Sequence, residues 1–342
     1  MAGPDSGPDI GMEEGGDPAC WAHRFDDGPE LPALVVERAE SQGSAGKRWL
    51  DDLPGVVDAM VQRWGLTLGA MHEGGTAGYV VDAVGPDGRL AVLKIPMALD
   101  EDDHTAVTHS VVAHELAAGR GCAELFAHDP AAPALLLERL GPNLDTLGLP
   151  VDDVLETVAT TLRTFWRPVP DDVDLPTGAT KAAWLARLIW ATWDELDRPC
   201  DRAIVDRAVA LCAARARAFD PSTAVLVHGD AHGWNLLSAD RPDGSGGSAG
   251  YKFVDPEGLR SEPAHDLSVL LREYNEPLLA GDTPTLVRAR AERVASWCDV
   301  DPDAVCEWGA IERVSTGLAA LRHLGGADGE GHAMLEVARR CL

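Results

Sequence analysis

Cysteine pairing is missing from this chain: its seven cysteines (20, 122, 200, 212, 298, 306 and 341) are odd in number and scattered, with no C-x-x-C spacing among them. Neither a zinc knuckle nor a disulfide framework is indicated, and a reducing compartment fits that usage. No apolar run approaches the ~18 residues that a bilayer-crossing helix needs. Met1 to Asp17 is acidic, without the basic and apolar regions of a secretory signal, so a cytoplasmic location and no membrane partner are expected. Basic side chains are scarce, 29 Lys and Arg against 56 Asp and Glu, a net charge of −27. That balance opposes non-specific nucleic-acid binding and would attract a cationic small molecule. A Walker A loop is absent as well. Ser41 to Lys47 comes near one, but Ser41 stands where its first glycine is needed and Arg48 where its Ser or Thr belongs.

What is present reads as two lobes, as a chain of 342 residues permits. Residues 1–29 are rich in Gly, Pro and acid and read as a mobile acidic tail. From Trp49 the spacing of Leu53, Val56, Val57, Met60, Val61 and Trp64 predicts one apolar helix face. Leu66 to Met71 and Tyr79 to Val84 then read as strands joined by the glycine-rich turn Glu73 to Gly78. Its glycines, Gly74, Gly75 and Gly78, would let backbone N–H groups approach phosphates, or form an ordinary turn. Leu90 to Ile95 is a third strand carrying Lys94. A helix with Val107, Val111, Val112 and Leu116 follows, and Glu115 lies on or beside its apolar face, able to meet Lys94 as an ion pair or to remain solvated. The strand Ala134 to Leu140 is broken by Gly141-Pro142-Asn143, where the lobe boundary is expected: an N-lobe over 30–140 and a C-lobe over 141–342. Beyond it the spacing predicts helices over 154–166, 182–196, 204–219, 284–298 and 303–324. The tryptophans at 166, 184, 190 and 193 are expected to be core.

The chemistry concentrates in Val225 to Leu237. An apolar run there delivers His228-Gly229-Asp230 and, five residues after Asp230, Asn235; Asp255 ends the short strand Tyr251 to Val254. Mg-assisted phosphoryl transfer needs such a set, with one carboxylate to orient a hydroxyl and an Asn and a second carboxylate to hold the ions. His228-Gly229-Asp230 through Asn235 matches H-G-D-x-x-x-x-N, and the chain resembles the aminoglycoside phosphotransferase family of the protein-kinase-like fold. Trp49-Leu50-Asp51-Asp52-Leu53-Pro54, Trp64-Gly65-Leu66 and Asp255-Pro256-Glu257-Gly258 make it most similar to the streptomycin 6-kinase and hydroxyurea phosphotransferase group, over roughly residues 45–325. The resemblance implies an α+β, two-lobed fold, with a small antiparallel-sheet N-lobe bearing one braced helix and a larger, mainly helical C-lobe.

It also implies ATP and Mg²⁺ as cofactors and a small hydroxylated acceptor of the aminoglycoside-antibiotic type. Asp230 would be the base. Asn235 and Asp255 would hold the metal. Lys94, braced by Glu115, would bind phosphates, and the backbone from Glu138 to Leu140 would take the adenine edge. His228 and Asp266 would support the loop. Two rivals remain at this point. His228, Asp230 and His232 could be the metal triad of a hydrolase, although no H-x-H-x-D-H pattern accompanies them. The chain could also be an inactive nucleotide-binding module of the same fold.

Overall fold

The computed structural model describes residues 31–72, 78–239, 250–324 and 329–342. It divides into two compact units, one ending at Met97 and one beginning at Ala98.

In the first unit two helices, α1 (Ala33–Ser41) and α2 (Gly43–Trp64), precede three strands, β1 (Thr67–Met71), β2 (Gly78–Val84) and β3 (Leu90–Pro96). Leu53, Val57 and Met60 of α2 are buried, on the face that the spacing predicted, and Val35 and Ala39 of α1 are buried as well. The short α1 was not anticipated; nine residues carry too little periodicity to stand out. β2 pairs antiparallel with both β1 and β3. Tyr79, Val81 and Ala83 of β2 and Ala91, Leu93 and Ile95 of β3 are buried. The two-residue alternation of a strand therefore puts half-buried Lys94, opposite Val80, on the other face. Glu73 to Ala77, including Gly74 and Gly75, lie outside the described residues. Gly78 is the first residue of β2.

The second unit opens with α3 (Glu101–Ala117), whose N-cap Asp100 accepts the Asp103 N–H at 2.9 Å and whose first turn is acidic, as the helix dipole favours. An antiparallel hairpin of β4 (Leu125–Asp129) and β5 (Ala134–Glu138) follows, then helices α4 (Val151–Phe165), α5 (Gly178–Glu195) and α6 (Arg202–Ala218). Four three-residue strands come next: β6 (Val225–Val227), β7 (Leu236–Ser238), β8 (Tyr251–Phe253) and β9 (Leu259–Ser261). The chain continues through α7 (Pro263–Arg272), α8 (Asn275–Leu279), α9 (Thr283–Cys298), α10 (Pro302–Leu324) and α11 (Glu330–Cys341). α10 packs on α5, α6, α7, α9 and α11, and buries Val305, Trp308, Ile311, Val314 and Leu318 at helical spacing.

Ala113, Ala117 and Cys122 belong to the same buried cluster as Leu144, Phe165 and Phe253. The Arg167 guanidinium also donates to the carbonyls of Leu116 (2.8 Å), Ala117 (2.7 Å) and Arg120 (3.1 Å), tying the end of α3 to the end of α4. The expectation for the tryptophans is corrected at one position. Trp193 is buried, whereas Trp184 is 46% exposed, beside rather than on the face formed by Ala182, Leu185 and Ile189, with Lys181 Nζ 4.8 Å from its ring centre.

Candidate active site

The four short strands explain how two loops come together. β6 pairs with β9 and β7 with β8, so the loop 228–235, joining β6 to β7, and the loop 254–258, joining β8 to β9, lie side by side. Three bonds stitch them: Val254 N–H to Asn235 O (2.9 Å), Glu257 N–H to His228 O (2.8 Å), and His228 Nε2–H to Val254 O (2.8 Å). Two glycines are required here. Gly229 has φ +90°, and a Cβ on it would stand 2.7 Å from Glu257 Oε2. Gly258 has φ +73°, and a Cβ there would stand 2.3 Å from the His109 carbonyl oxygen on α3.

His228 is enclosed between Phe253, 4.9 Å between ring centres, and Phe165, 5.8 Å. Its Nδ1 accepts the Asp230 N–H at 3.2 Å while Nε2–H donates to Val254, so both ring nitrogens are engaged and neither remains to ligate a metal. That removes the hydrolase triad. Among the described residues no group of three or more His, Cys, Asp or Glu is arranged to hold a metal ion. Asp266, fully buried in the first turn of α7, accepts the N–H groups of His228 (2.9 Å) and Gly229 (2.8 Å) and the indole Nε1–H of Trp166 (2.8 Å). A carboxylate aimed at successive backbone amides fixes the loop path.

Asp230 is half-buried. Its Oδ1 accepts from Arg272 Nη2 at the end of α7, while Oδ2 lies 3.3 Å from Asn235 Nδ2 and 3.3 Å from His232 Nε2. Burial alone would raise the Asp230 pKa, but the Arg272 guanidinium and His232 outweigh it and hold the carboxyl well below the usual range. Asn235 Nδ2 also donates to the Asp230 carbonyl at 3.0 Å, which turns the amide oxygen away from Asp230. Asp255 is exposed, at a left-handed φ of 60° one residue after Val254. Nearby, Lys181 of α5 donates to Glu257 Oε2 at 2.7 Å; burial opposes its charge, yet Glu257, Glu312 and Asp230 outweigh burial and raise its pKa.

The structure thus brings His228, Asp230, Asn235 and Asp266 into one hydrogen-bonded set, with Asp255 on the adjoining loop. Lys94 and Gly78 stand in the first unit, on β3 and β2. Glu115 is exposed on α3, its carboxylate 3.7 Å from His128 Nε2. The Glu138 carboxylate accepts from Lys252 at 2.6 Å, and Leu140 is buried three residues before Asn143, which caps the short 3-10 turn Leu144–Leu147. Sequence reasoning missed Arg272, Glu312 and Lys181. No local spacing marks them, since Arg272 and Asp230 are 42 residues apart.

This loop pair, with its Asp and Asn ligand-type side chains and its brace from the next helix, defines a phosphotransferase of the protein-kinase-like fold. Solved structures share the fold. A choline kinase from Cryptosporidium parvum Iowa II superposes with a TM-score of 0.56 at 11% identity, covering 84% of this chain and 94% of that one. A macrolide 2'-phosphotransferase type I gives 0.50 at 18% identity, over 83% and 96%. The chain belongs to the aminoglycoside/hydroxyurea antibiotic resistance kinase family, whose model matches residues 63–325, and it is a small-molecule kinase. Among its relatives are a streptomycin 6-kinase of Streptomyces glaucescens, 26% identical over 85% of this chain and 93% of the relative, and a hydroxyurea phosphotransferase of Kitasatospora aureofaciens, 30% identical over 72% and 69%. No described helix is long and apolar enough to cross a membrane.

Proposed function

We propose that the protein transfers the γ-phosphate of ATP to a hydroxyl group of a small molecule, in the first instance an aminoglycoside of the streptomycin type. The observation that carries this reading is the Asp230 carboxylate, ionised by its surroundings and held in a loop whose neighbours Asn235 and Asp255 offer oxygen ligands. Asp230 orients the acceptor hydroxyl and takes its proton late, since a carboxylate held at low pKa is a weak base and phosphoryl transfer relies mainly on positioning. Asn235 and Asp255 would hold Mg²⁺. The fit rests on the hard oxygen donors and on the Asn235 amide, whose nitrogen is committed to Asp230 and leaves its oxygen for a cation. When bound, the ion neutralises charge on the nucleotide phosphates. We assign Lys94, Glu115, Gly74, Gly75 and Gly78 to the nucleotide phosphates, and the backbone from Glu138 to Leu140 to the adenine edge.

Charge supports a cationic acceptor only in part. Around Asp230, the carboxylates of Asp230, Glu257, Glu273 and Glu312 face the two fixed cations Lys181 and Arg272. The surplus favours a divalent cation and an amino- or guanidino-sugar together, although Lys181 already neutralises Glu257. The test is a coupled ADP-release screen with ATP and Mg²⁺ across streptomycin, other aminoglycosides, choline and hydroxyurea, with Asp230→Asn as control. Acceptor-dependent ADP release that falls about 100-fold or more in the variant is expected. Unchanged release in Asp230→Asn would remove the role given to that residue.

A further inference from the structure

Arg272 ends α7 with its guanidinium enclosed by three carboxylates from separate parts of the chain. Nη2 donates to Asp230 Oδ1. Nη1 donates to Glu312 Oε2 at 3.1 Å and approaches Thr316 Oγ1 at 3.4 Å, both on α10, while Nε donates to Glu273 Oε1 at 3.1 Å. Glu312 is itself buried. Its second oxygen lies 3.5 Å from His265 Nε2, and the His265 ring stacks on Trp308 at 4.3 Å. The arginine is therefore held from the α10 side by a carboxylate that has no solvent to turn to.

We propose, building on the phosphotransfer reading of Asp230, that Arg272 anchored by Glu312 is a positioning residue for the reaction. It occupies Oδ1 of Asp230 and so presents Oδ2 to the acceptor hydroxyl. Three arguments carry this. A carboxylate at the end of a side chain can rotate, and the charged bond from Arg272 is stronger than the 3.3 Å approaches that Oδ2 makes to Asn235 and His232. The guanidinium is a rigid planar fork, so a fixed Glu312 on Nη1 dictates where Nη2 meets Asp230; an ammonium, a single point of charge, cannot bridge both in that way. Finally, a buried ion pair adds no more stability than well-packed apolar side chains of similar volume. Stability alone therefore gives no reason for this chain of charge to run from the middle of α10 to the exposed edge of Asp230.

The test compares Arg272→Met, Arg272→Lys, Glu312→Gln and Asp230→Asn in the full chain, measuring ADP release with streptomycin, hydroxyurea and choline as acceptor probes. Hydrolysis of ATP with water as acceptor is read in the same assay, so the comparison does not depend on which acceptor is phosphorylated. A mispositioned reacting group costs about 100-fold, and that fall in kcat is expected for Arg272→Met. Arg272→Lys and Glu312→Gln should each fall about tenfold, the size of one charged hydrogen bond. KM for ATP should stay within about threefold in all three, a split that a structural role would not produce.

Arg272→Met holding kcat within about threefold while Asp230→Asn loses activity would overturn the proposal and leave the phosphotransfer reading standing. A loss of kcat matched by an equal loss of ATP affinity would overturn it too. Activity retained in Asp230→Asn, or no ADP release with any acceptor or with water, would remove the reading and the proposal together. Should Arg272→Met show no cooperative unfolding transition, the near-isosteric Glu312→Gln decides: unchanged kcat overturns the proposal, and a tenfold fall at constant KM supports it.

Discussion

Replacing Asp266 by asparagine probes whether the catalytic loop is held by its backbone. The carboxylate accepts two bonds on Oδ2, from His228 N–H and Trp166 Nε1–H, and one on Oδ1, from Gly229 N–H. An asparagine whose oxygen keeps the first two turns its amide nitrogen toward the Gly229 N–H, setting donor against donor in a site with no exposed surface. One bond to a charged group, worth about 1.5–3 kcal/mol net, is lost and a buried donor is left unpaired. Relief of the carboxylate's own burial offsets part of this. The expected net loss is about 2–4 kcal/mol, or roughly 5–15 °C in melting temperature for a unit of this size. Thermal unfolding followed by tryptophan fluorescence at pH 7 reads the global change. Amide hydrogen exchange at His228 and Gly229 reads the local one, which should quicken by roughly 30-fold or more, because each 1.4 kcal/mol is a factor of ten. Trp166→Phe keeps both loop bonds and removes the third donor, so it should cost only about 1 kcal/mol. A melting temperature within about 2 °C of wild type in Asp266→Asn, with unaltered exchange at both amides, would refute the reasoning.

Three further outcomes follow from the same geometry. Gly229→Ala places a Cβ at φ +90°, 2.7 Å from Glu257 Oε2 and 3.0 Å from Leu259 Cδ1; it should destabilise the protein by roughly 1–3 kcal/mol and abolish transfer, checked by urea unfolding and by the ADP assay, and a fully active variant would contradict the loop geometry. Burial pushes the Glu312 pKa up, but His265 and Arg272 outweigh it and hold the folded-state value below the ordinary 4.5, so its stabilisation is present above pH 4.5 and is lost as pH falls through the folded value. Without the guanidinium burial prevails and the sign reverses, so the melting-temperature gap between wild type and Arg272→Met should be widest at pH 7 and narrow toward pH 4; a gap independent of pH would count against a charged Glu312. Of the six described cysteines, exposed Cys341 should react first with a thiol reagent at pH 8, whereas Cys212, pushed up to about 12 by burial, and fully buried Cys122 should react only on unfolding, read by mass spectrometry after timed quenching.

Much of the fold was legible because its helices are long and one-sided. The apolar spacing of Leu53, Val57 and Met60, and that of Trp308, Ile311, Val314 and Leu318, survives reading without any partner in view. Short elements were not: α1, α8, β4 and β9 have three to nine residues and take their conformation from what they pack against. The Asp230 and Asn235 spacing was legible for a different reason. Both side chains belong to one turn, so their separation in sequence fixes their separation in space. Lys181 and Glu312 join Glu257 only after α5, the loop 254–258 and α10 have packed, and each of these two alone reads as a solvated charge.

α7 shows where the two kinds of information join. Asp266 and Arg272 stand on one helix, 272 − 266 = 6 residues apart, about 9 Å along its axis at 1.5 Å per residue. The first holds the backbone of the catalytic loop at His228 and Gly229; the second holds the side chain of Asp230. Asp266 was assigned in the sequence only through the family resemblance, and the amides it meets are backbone groups, whose positions do not depend on the side chains they carry. Arg272 was not assigned, because its use depends on a carboxylate 40 residues further on in α10. A rigid helix that grips both the path of the loop and the orientation of its carboxylate gives the two a common reference frame. Displacing α7 as a body would therefore shift the loop and Asp230 together, whereas cutting the Arg272 link frees the carboxylate alone, and the two perturbations are separable by amide exchange at Gly229.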